Sequence, residues 1–430
     1  MYKSPLSSPN NTSDFANWWQ QYPHFTTSTG NTTIIRLPPD EGPPLPPAKL
    51  TLIQTGAWRK SLNAGAIEQL EIGQLIFLRN DAVLAILPFQ VFDVPLTKLD
   101  EKVSPVARTI LNLSPYFHTW KDQQRVIRIL LIGDLFLSDT QHHQRVSPAL
   151  LDEAVTWLES LEAPEAPVGL KVLKEFDADD KSTLTALNQL GYHSVETEPE
   201  MILYLKSSWE QITDYTAAMK TKYRRRYKSA RKKGKEICVK TLTLHQLLEC
   251  HQTLQPLLDN VIAKSSFCLA PENTYLYVQM KKQLKQNFIF KVYQLNEKVI
   301  GFSTAIRNGS TLIAHRVGLN YDFNNTHKLY QNILYDYVEL ALSFRCQSIN
   351  YGRTALEIKS ALGAEPKTLI FVLKHPSWMA NQALRWLLYS PPKAKWTQRH
   401  PFRQPQAVKT TPHKHYSLSP VLRWLPKFGI

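Results

Sequence analysis

The chain is poor in cysteine, and its cysteines show no shared pattern. There are four in 430 residues: Cys238, Cys250, Cys268 and Cys346. None belongs to a CxxC pair and no export signal accompanies them, so they read as buried thiols, not a disulfide framework. His142 and His143 are adjacent, and His413 lies two residues from His415, but neither pair has further ligands nearby, so no metal site is expected. No run reaches the ~18 apolar residues of a membrane-spanning helix. The N-terminus is polar and proline-rich, with no basic stretch leading into an apolar one, which points to the cytoplasm. No Ser-His-Asp or Cys-His arrangement is evident, and no internal repeat beyond a coarse doubling of architecture. Acidic residues are missing at the far end: none follows Glu365, while Lys and Arg continue to Lys427.

What is present describes a globular protein. Hydrophobic residues make up 43% of the chain, too many for a disordered one. The length suits two or three domains. The net charge is +15. Much of it sits in one cluster: Lys220, Lys222, Arg224, Arg225, Arg226, Lys228, Arg231, Lys232, Lys233 and Lys235. This cluster and the basic tail imply an anionic partner: a nucleic acid, a phosphorylated substrate or a membrane surface. Tyr223 and Tyr227, four apart within the cluster, define the face expected to pack.

Four segments emerge. Residues 1–48 form a Pro/Ser/Asn-rich lead-in, whose aromatics Phe15, Trp18, Trp19, Tyr22 and Phe25 are candidates for docking. Residues 49–206 alternate strands and helices, with paired strands around Asn80-Asp81 and a helix over 147–161 that begins at Ser147-Pro148. Residues 207–376 open with one long basic helix running from Trp209 to Gly234. Two further helices follow, then three strands over 287–319, joined by tight turns at Asn296-Glu297-Lys298 and Asn308-Gly309. A helix over 327–344, a strand over 349–352, a helix over 354–362 and a strand over 368–374 complete this segment. Residues 377–430 begin as an amphipathic helix, 378–388, and end as a basic tail rich in Pro, Trp and Phe.

Helices, three antiparallel strands, a long helix, strand, helix and strand: this is the order of the GNAT (N-acyltransferase) fold. Local runs sharpen the resemblance. Ser208-Trp209-Glu210, Lys222-Tyr223-Arg224-Arg225-Arg226 and Ala230-Arg231-Lys232-Lys233-Gly234 resemble the opening of the second domain in Fem-like acyltransferases. Tyr330-Gln331-Asn332-Ile333-Leu334-Tyr335, Asn350-Tyr351-Gly352-Arg353-Thr354 and Lys359-Ser360-Ala361-Leu362-Gly363-Ala364 resemble the peptidoglycan-related branch of GNAT proteins. The resemblance covers residues 200–375. The first domain resembles a degenerate GNAT half by position and element order. The fold class implied is α/β, two tandem GNAT-like domains with mixed, mainly antiparallel sheets.

That resemblance implies an acyltransferase: an acyl or aminoacyl group moves from an activated donor to an amine by direct attack in a ternary complex. No permanently bound cofactor is implied. Acyl-coenzyme A is the co-substrate of many GNAT enzymes, and some Fem-like relatives use aminoacyl-tRNA. Here the segment that would bind the coenzyme pyrophosphate, 321–328, contains no glycine. The candidate proton-transfer residues are His315, whose unperturbed imidazole titrates near ~6.5, and Tyr330. Glu357 is a further candidate base. Gly352, Arg353, Thr354 and Lys359 are the candidate donor- or substrate-binding residues, Arg353 through its two-pronged guanidinium. Plainer roles stand beside these: a packed His315 and Tyr330, a solvated Arg353, a capping Thr354 and a surface Lys359. The alternative to the enzyme is a GNAT-shaped module that binds tRNA, another nucleic acid or a membrane surface through residues 220–235 and the tail.

Overall fold

The computed structural model describes residues 18–42, 45, 50–65, 70–80, 82–95, 117–119, 125–138, 146–161, 167–264, 272–388 and 396–403. Phe15, His142, His143, Cys268, His413, His415 and the tail beyond Arg403 lie outside the described residues.

The first half contains β1 (His24–Thr26), β2 (Thr33–Leu37), α1 (Gly56–Ala64), β3 (Leu70–Arg79), β4 (Ala82–Pro95), β5 (Phe117–Thr119), β6 (Arg125–Ile132), α2 (Pro148–Leu161), β7 (Val168–Asp177), α3 (Lys181–Gln189) and β8 (His193–Glu196). After it come β9 (Glu200–Tyr204), α4 (Ile212–Ala217), α5 (Thr221–Lys233), β10 (Cys238–Thr241), α6 (Leu244–Lys264) and α7 (Thr274–Leu284). Then follow β11 (Phe288–Leu295), β12 (Lys298–Asn308), β13 (Thr311–Leu319), α8 (Asp322–His327), α9 (Leu329–Ser343) and β14 (Ser348–Asn350). The chain continues through α10 (Leu356–Ser360), β15 (Glu365–Lys367), β16 (Leu369–Lys374) and α11 (Trp378–Leu388).

These strands make two sheets. The first has the order β1-β2-β3-β4-β6-β7-β16-β8, with β5 also on β6. The second has the order β10-β11-β12-β13-β14-β9-β15. Pairing is antiparallel except for β6 with β7 and β13 with β14. Each parallel pair is joined by a helical crossover, as parallel strands require. The fold is therefore mixed α/β, in two units with mainly antiparallel sheets and the GNAT-like order.

The sheets cross the boundary expected at 206/207. Strand β9, expected in the first domain, lies between β14 and β15 of the second sheet. Strand β16, expected in the second, lies between β7 and β8 of the first. Each half thus holds one strand beyond its sequence limits. The first 48 residues are also more than a lead-in: β1 and β2 extend the first sheet, and Ile34, Ile35 and Leu37 have no exposure. Trp18, Trp19 and Tyr22 dock on the small core of Ile35, Leu37, Ile76, Leu78 and Ile86.

Local rules account for most element ends. Pro148 begins α2, and Ser147 Oγ accepts from Leu150 N. Asn273 caps α7, its side chain accepting from Leu276 N at 2.9 Å. Long-range contacts account for the breaks. The basic helix expected over 209–234 is split in two, because Lys220 N–H is taken by Pro401 O at 2.8 Å and Met219 bridges Phe402. The helix expected from 327 is preceded by α8 and turned at Lys328, whose backbone is left-handed.

One core joins the halves. Trp58, Leu62 and Phe371 belong to the same buried cluster as Leu276, Tyr277, Phe288 and Phe290. Helix α1 of the first half packs on α7 of the second. Exchanged strands and a shared core should couple the halves into one unfolding unit. A single urea transition is expected, by far-ultraviolet circular dichroism and tryptophan fluorescence alike. Fragments 1–206 and 207–376, each missing an inner strand of one sheet, should show no cooperative transition of their own.

Candidate active site at the junction of the two sheets

Two β-bulges build the site. The first is in β13. Thr304 pairs with Arg316 and Ala305 with Ala314, so His315 is an extra residue. A bulge leaves backbone groups unpaired and sharpens local twist. Here side chains occupy those groups: Thr304 Oγ1 accepts from Arg316 N at 2.8 Å, and Tyr337 Oη donates to Thr304 O at 3.0 Å. On its other edge β13 pairs with β14 only from Thr311 to Ile313. The ladder between them ends at Ile313, two residues before His315.

His315, at the bulge, is fully buried. Its Nδ1 lies 3.1 Å from Thr304 Oγ1, while Nε2 has no hydrogen-bond partner. The rings of Trp58, Tyr277 and Phe288 surround it nearly edge-on. Burial, aided by the neighbouring Arg316, pushes the imidazole down to about 3, against the pull of Glu272. Burial therefore holds His315 in its neutral form at physiological pH. Arg316 itself is clasped by Glu272, with Nε–Oε1 at 2.8 Å, and Tyr277 Oη donates to the same carboxylate.

The second bulge is in β7. Phe176 pairs with Ile370 and Leu173 with Val372, so Lys174 and Glu175 together face Phe371. Glu175 has a left-handed backbone, φ +70. Both side chains are 1% exposed and pair at 2.9 Å. Arg353 reaches in from the second half: its Nη2 lies 3.1 Å from Glu175 and 4.0 Å from Glu200. Its guanidinium lies over the Phe371 ring. Burial would raise Glu175, but Lys174 and Arg353 hold it below the usual carboxylate range. Burial and Arg353 push Lys174 down, against the pull of Glu175 and Asp134.

Arg353 is thus buried, not solvated, and its guanidinium reaches the protein's own carboxylates. Gly352, Thr354 and Ala355 are all left-handed, so Thr354 is a strained turn residue and no helix cap; α10 starts only at Leu356. Lys359 holds this turn. It is buried, and its Nζ donates to Arg353 O and to Gly352 O. Burial pushes it down to about 7, against Glu198 and Glu200. Tyr330 sits in the first turn of α9, half-buried, its hydroxyl pushed well up by burial and by Tyr321. Glu357 lies on the surface side of α10, bonded by Thr397 N and paired with Arg399.

The structure therefore brings Gly352, Arg353, Thr354 and Lys359 together as one unit after β14, and sets His315 on the neighbouring strand β13. Trp58 connects the two sides: its ring meets His315, and its Nε1 donates to Asp134 at 2.7 Å. Asp134 also accepts from Gln90, Phe136 N and Leu137 N. Lys174 donates to Asp134 O. Sequence reading missed Trp58, Asp134, Lys174, Glu175, Glu200, Glu272 and Thr304. One signal was legible: Lys174-Glu175 puts two adjacent charges inside an apolar strand, where alternation would send one of them to each face.

In the segment 321–328, helix α8 occupies 322–327, and Asn324 Oδ1 accepts from Tyr330 N at 3.1 Å. Along α5, Tyr223 and Ala230 are buried and Tyr227 stacks edge-on with Tyr335, the packed face read from the sequence. Arg231 is tied to Asp336 and Glu339. Lys220, Lys222, Arg225, Arg226, Lys228, Lys232, Lys233 and Lys235 are exposed.

The class defined by pairing and order is a tandem of GNAT-like units. No family model matches the chain. No curated protein matches it either. Among solved structures, FemX is similar at 11% identity and TM-score 0.46, over 78% of this chain and 94% of that one. A tandem GNAT protein from the clavulanic acid biosynthesis pathway is similar at 11% identity and TM-score 0.45, over 87% and 98%. L-PGS from Bacillus licheniformis is similar at 10% identity and TM-score 0.37, over 63% and 87%. The fold assignment rests on the strand pairing and not on these likenesses.

Two outcomes follow from the site's geometry. Thr304→Val removes the partner of Arg316 N–H inside the bulge and should cost about 1–3 kcal/mol in urea unfolding. Lys359 binds its proton less tightly folded than unfolded, so between pH 7 and 10.5 the unfolded chain holds more protons. Stability therefore rises with pH across that window, by on the order of 1.4 kcal/mol per unit from this group. Lys359→Met should remove that slope, read as the difference between the two proteins' unfolding midpoints from pH 7 to 10.

Proposed function

We propose that the protein is an acyltransferase that moves an acyl or aminoacyl group to an amine at the edge of β13 beyond its ladder with β14. The observation that carries this reading is the end of that ladder at Ile313, two residues before the His315 bulge. Beyond that point the backbone of β13 would hydrogen-bond a carbonyl. In the reaction the amine attacks the acyl carbon, the carbonyl oxygen gains negative charge, and the carrier leaves as its alcohol or thiol. Backbone N–H groups aimed at that oxygen would stabilise it, and holding both substrates in place would supply much of the remainder. No nucleophilic side chain is needed. Neutral His315 serves as a hydrogen-bond partner in this scheme. Tyr330, which keeps its proton at neutral pH, passes it to the leaving carrier and takes up the one the attacking amine loses. Arg353 and Lys359 act by fixing the turn that ends β14.

At the start of α9 the Tyr330 N–H is already taken by Asn324, which favours a donor whose anionic part is held elsewhere. Support for a polyanionic carrier such as tRNA comes from the exposed basic face of α5, which packs beside α8 and α9. Acyl-coenzyme A is the competing donor. The same basic face also favours the second reading, a non-catalytic module that binds a polyanion.

The test is transfer of label from aminoacyl-tRNA, and separately from acyl-coenzyme A, to a panel of amines. Transfer from aminoacyl-tRNA is expected, weakened when Lys222, Arg225, Lys228 and Lys232 are changed to Ser and weakened further by salt. Transfer from acyl-coenzyme A alone would remove the polyanion from the reading. Salt-sensitive tRNA binding with no transfer from either donor would establish the binding module instead.

A further inference from the structure

The segment 321–328, which lacks glycine, carries aromatic rings instead. Tyr321 precedes α8, and Phe323 and His327 stand one helical turn apart on it, with ring centroids separated by 5.8 Å. All three residues are half-buried, so part of each stays open to solvent. Cations stand beside them. Lys264, the exposed last residue of α6, places its Nζ 3.3 Å from the centre of the Tyr321 ring. Lys328 follows at once, in the left-handed turn between α8 and α9.

Asn332 ties this short helix to the basic one. Its Nδ2 lies 3.0 Å from His327 O, 3.2 Å from Lys328 O and 3.0 Å from Ala230 O in α5. Gly234, at the end of α5, fits against the same side chain, since a Cβ there would stand 2.4 Å from Asn332 Nδ2. The rings on α8 are therefore set beside the last turn of α5 and the residues after it, where Lys232, Lys233 and Lys235 are exposed. The local charge stays positive. Asp336 and Glu339 are paired with Arg231, which leaves Asp322 and Glu236 facing these lysines, Lys264 and Lys328.

Rings flanked by cations suit an unpaired nucleotide. Its base has a π-face that stacks on Phe, Tyr or His, and its phosphate is met by Lys. A base inside a duplex is already stacked and offers no free face. A lipid surface would call for rings that protrude, and these are half-buried beside α5 and α9.

We propose that α8 is a stacking platform for an unpaired stretch of RNA, with Phe323 and His327 against the bases and the lysines around them against the phosphates. The inference rests on the polyanionic carrier of the proposed function and names the part of that carrier this segment holds. The test is fluorescence anisotropy of the full chain with labelled oligoadenylate, alone and annealed to oligouridylate. Phe323→Leu keeps the apolar bulk and removes the ring. It should weaken binding of the single strand about tenfold, the scale of one lost stacked base, and change duplex binding by no more than about twofold. Phe323→Tyr keeps the ring and should bind the strand like the natural protein. Lys232→Ser with Lys233→Ser should weaken strand and duplex alike and flatten the salt dependence of both. A natural protein that does not bind the strand would overturn the proposal, and so would a Phe323→Leu variant that weakens both probes equally or neither. Failure here is separable from failure of the transfer reading. Transfer from acyl-coenzyme A without strand binding removes the platform and keeps the acyltransferase, whereas ring-dependent strand binding without transfer from either donor does the reverse.

Discussion

The junction depends on a buried ionic group shared by the two halves: Lys174 and Glu175 from β7, Arg353 from the turn after β14. Charges removed from water are costly, and their mutual attraction offsets that cost only with close geometry and further hydrogen bonds. The group meets both conditions. Glu175 contacts two cations, Lys174 reaches two backbone carbonyls, and Arg353 lies between Glu175 and Glu200 over the face of Phe371. Removing one member would strand the others in an apolar interior. The turn that ends β14 is therefore held from the first half as firmly as from its own.

Bulges make this arrangement possible. A regular strand sends adjacent side chains to opposite faces, so Lys174 and Glu175 could not both face Phe371 without the extra residue in β7. The extra residue at His315 stands two residues beyond the end of the β13–β14 ladder. In β13 polar side chains, Thr304 and Tyr337, bond the backbone groups at the bulge. Backbone strain lies close by, at Glu175, Gly352, Thr354 and Ala355. Such strain persists only where surrounding contacts over-determine the conformation, and Lys359 with its two carbonyl bonds is one of those contacts.

The C-terminal strap adds a third constraint. Residues 396–403 cross from α10 to the junction of α4 and α5. Thr397 N and Arg399 N bond Glu357 and Ser360, and Phe402 fills an aromatic pocket with Trp209 and Tyr215. The pocket exists because residue 363 is glycine: a Cβ there would stand 2.1 Å from the Phe402 ring, and its φ of +101 already suits glycine alone. The helix carrying Lys359 is thus clamped from outside by the strap and from inside by the ionic group.

The sequence by itself determined most elements, because they follow from near-neighbour rules. Pro148 after Ser147, Asn273 before Thr274, the turns at Asn296 and Gly309, and the Tyr223–Tyr227 stripe all act within a few residues. The mixed α/β class and the GNAT-like order were legible for the same reason. Tertiary structure decided which sheet each strand joins. Strands β9 and β16 are short apolar runs that fit either sheet by pattern, and only the partners left available by the rest of the chain place them. It also decided the surroundings of the candidate residues. His315, Arg353 and Lys359 were found as residue types at suggestive positions. Their burial is a tertiary property, and the partners Trp58, Asp134, Lys174 and Glu175 come from segments more than a hundred residues away. Desolvation and ion pairing depend on distance in space, which near-neighbour patterns do not encode.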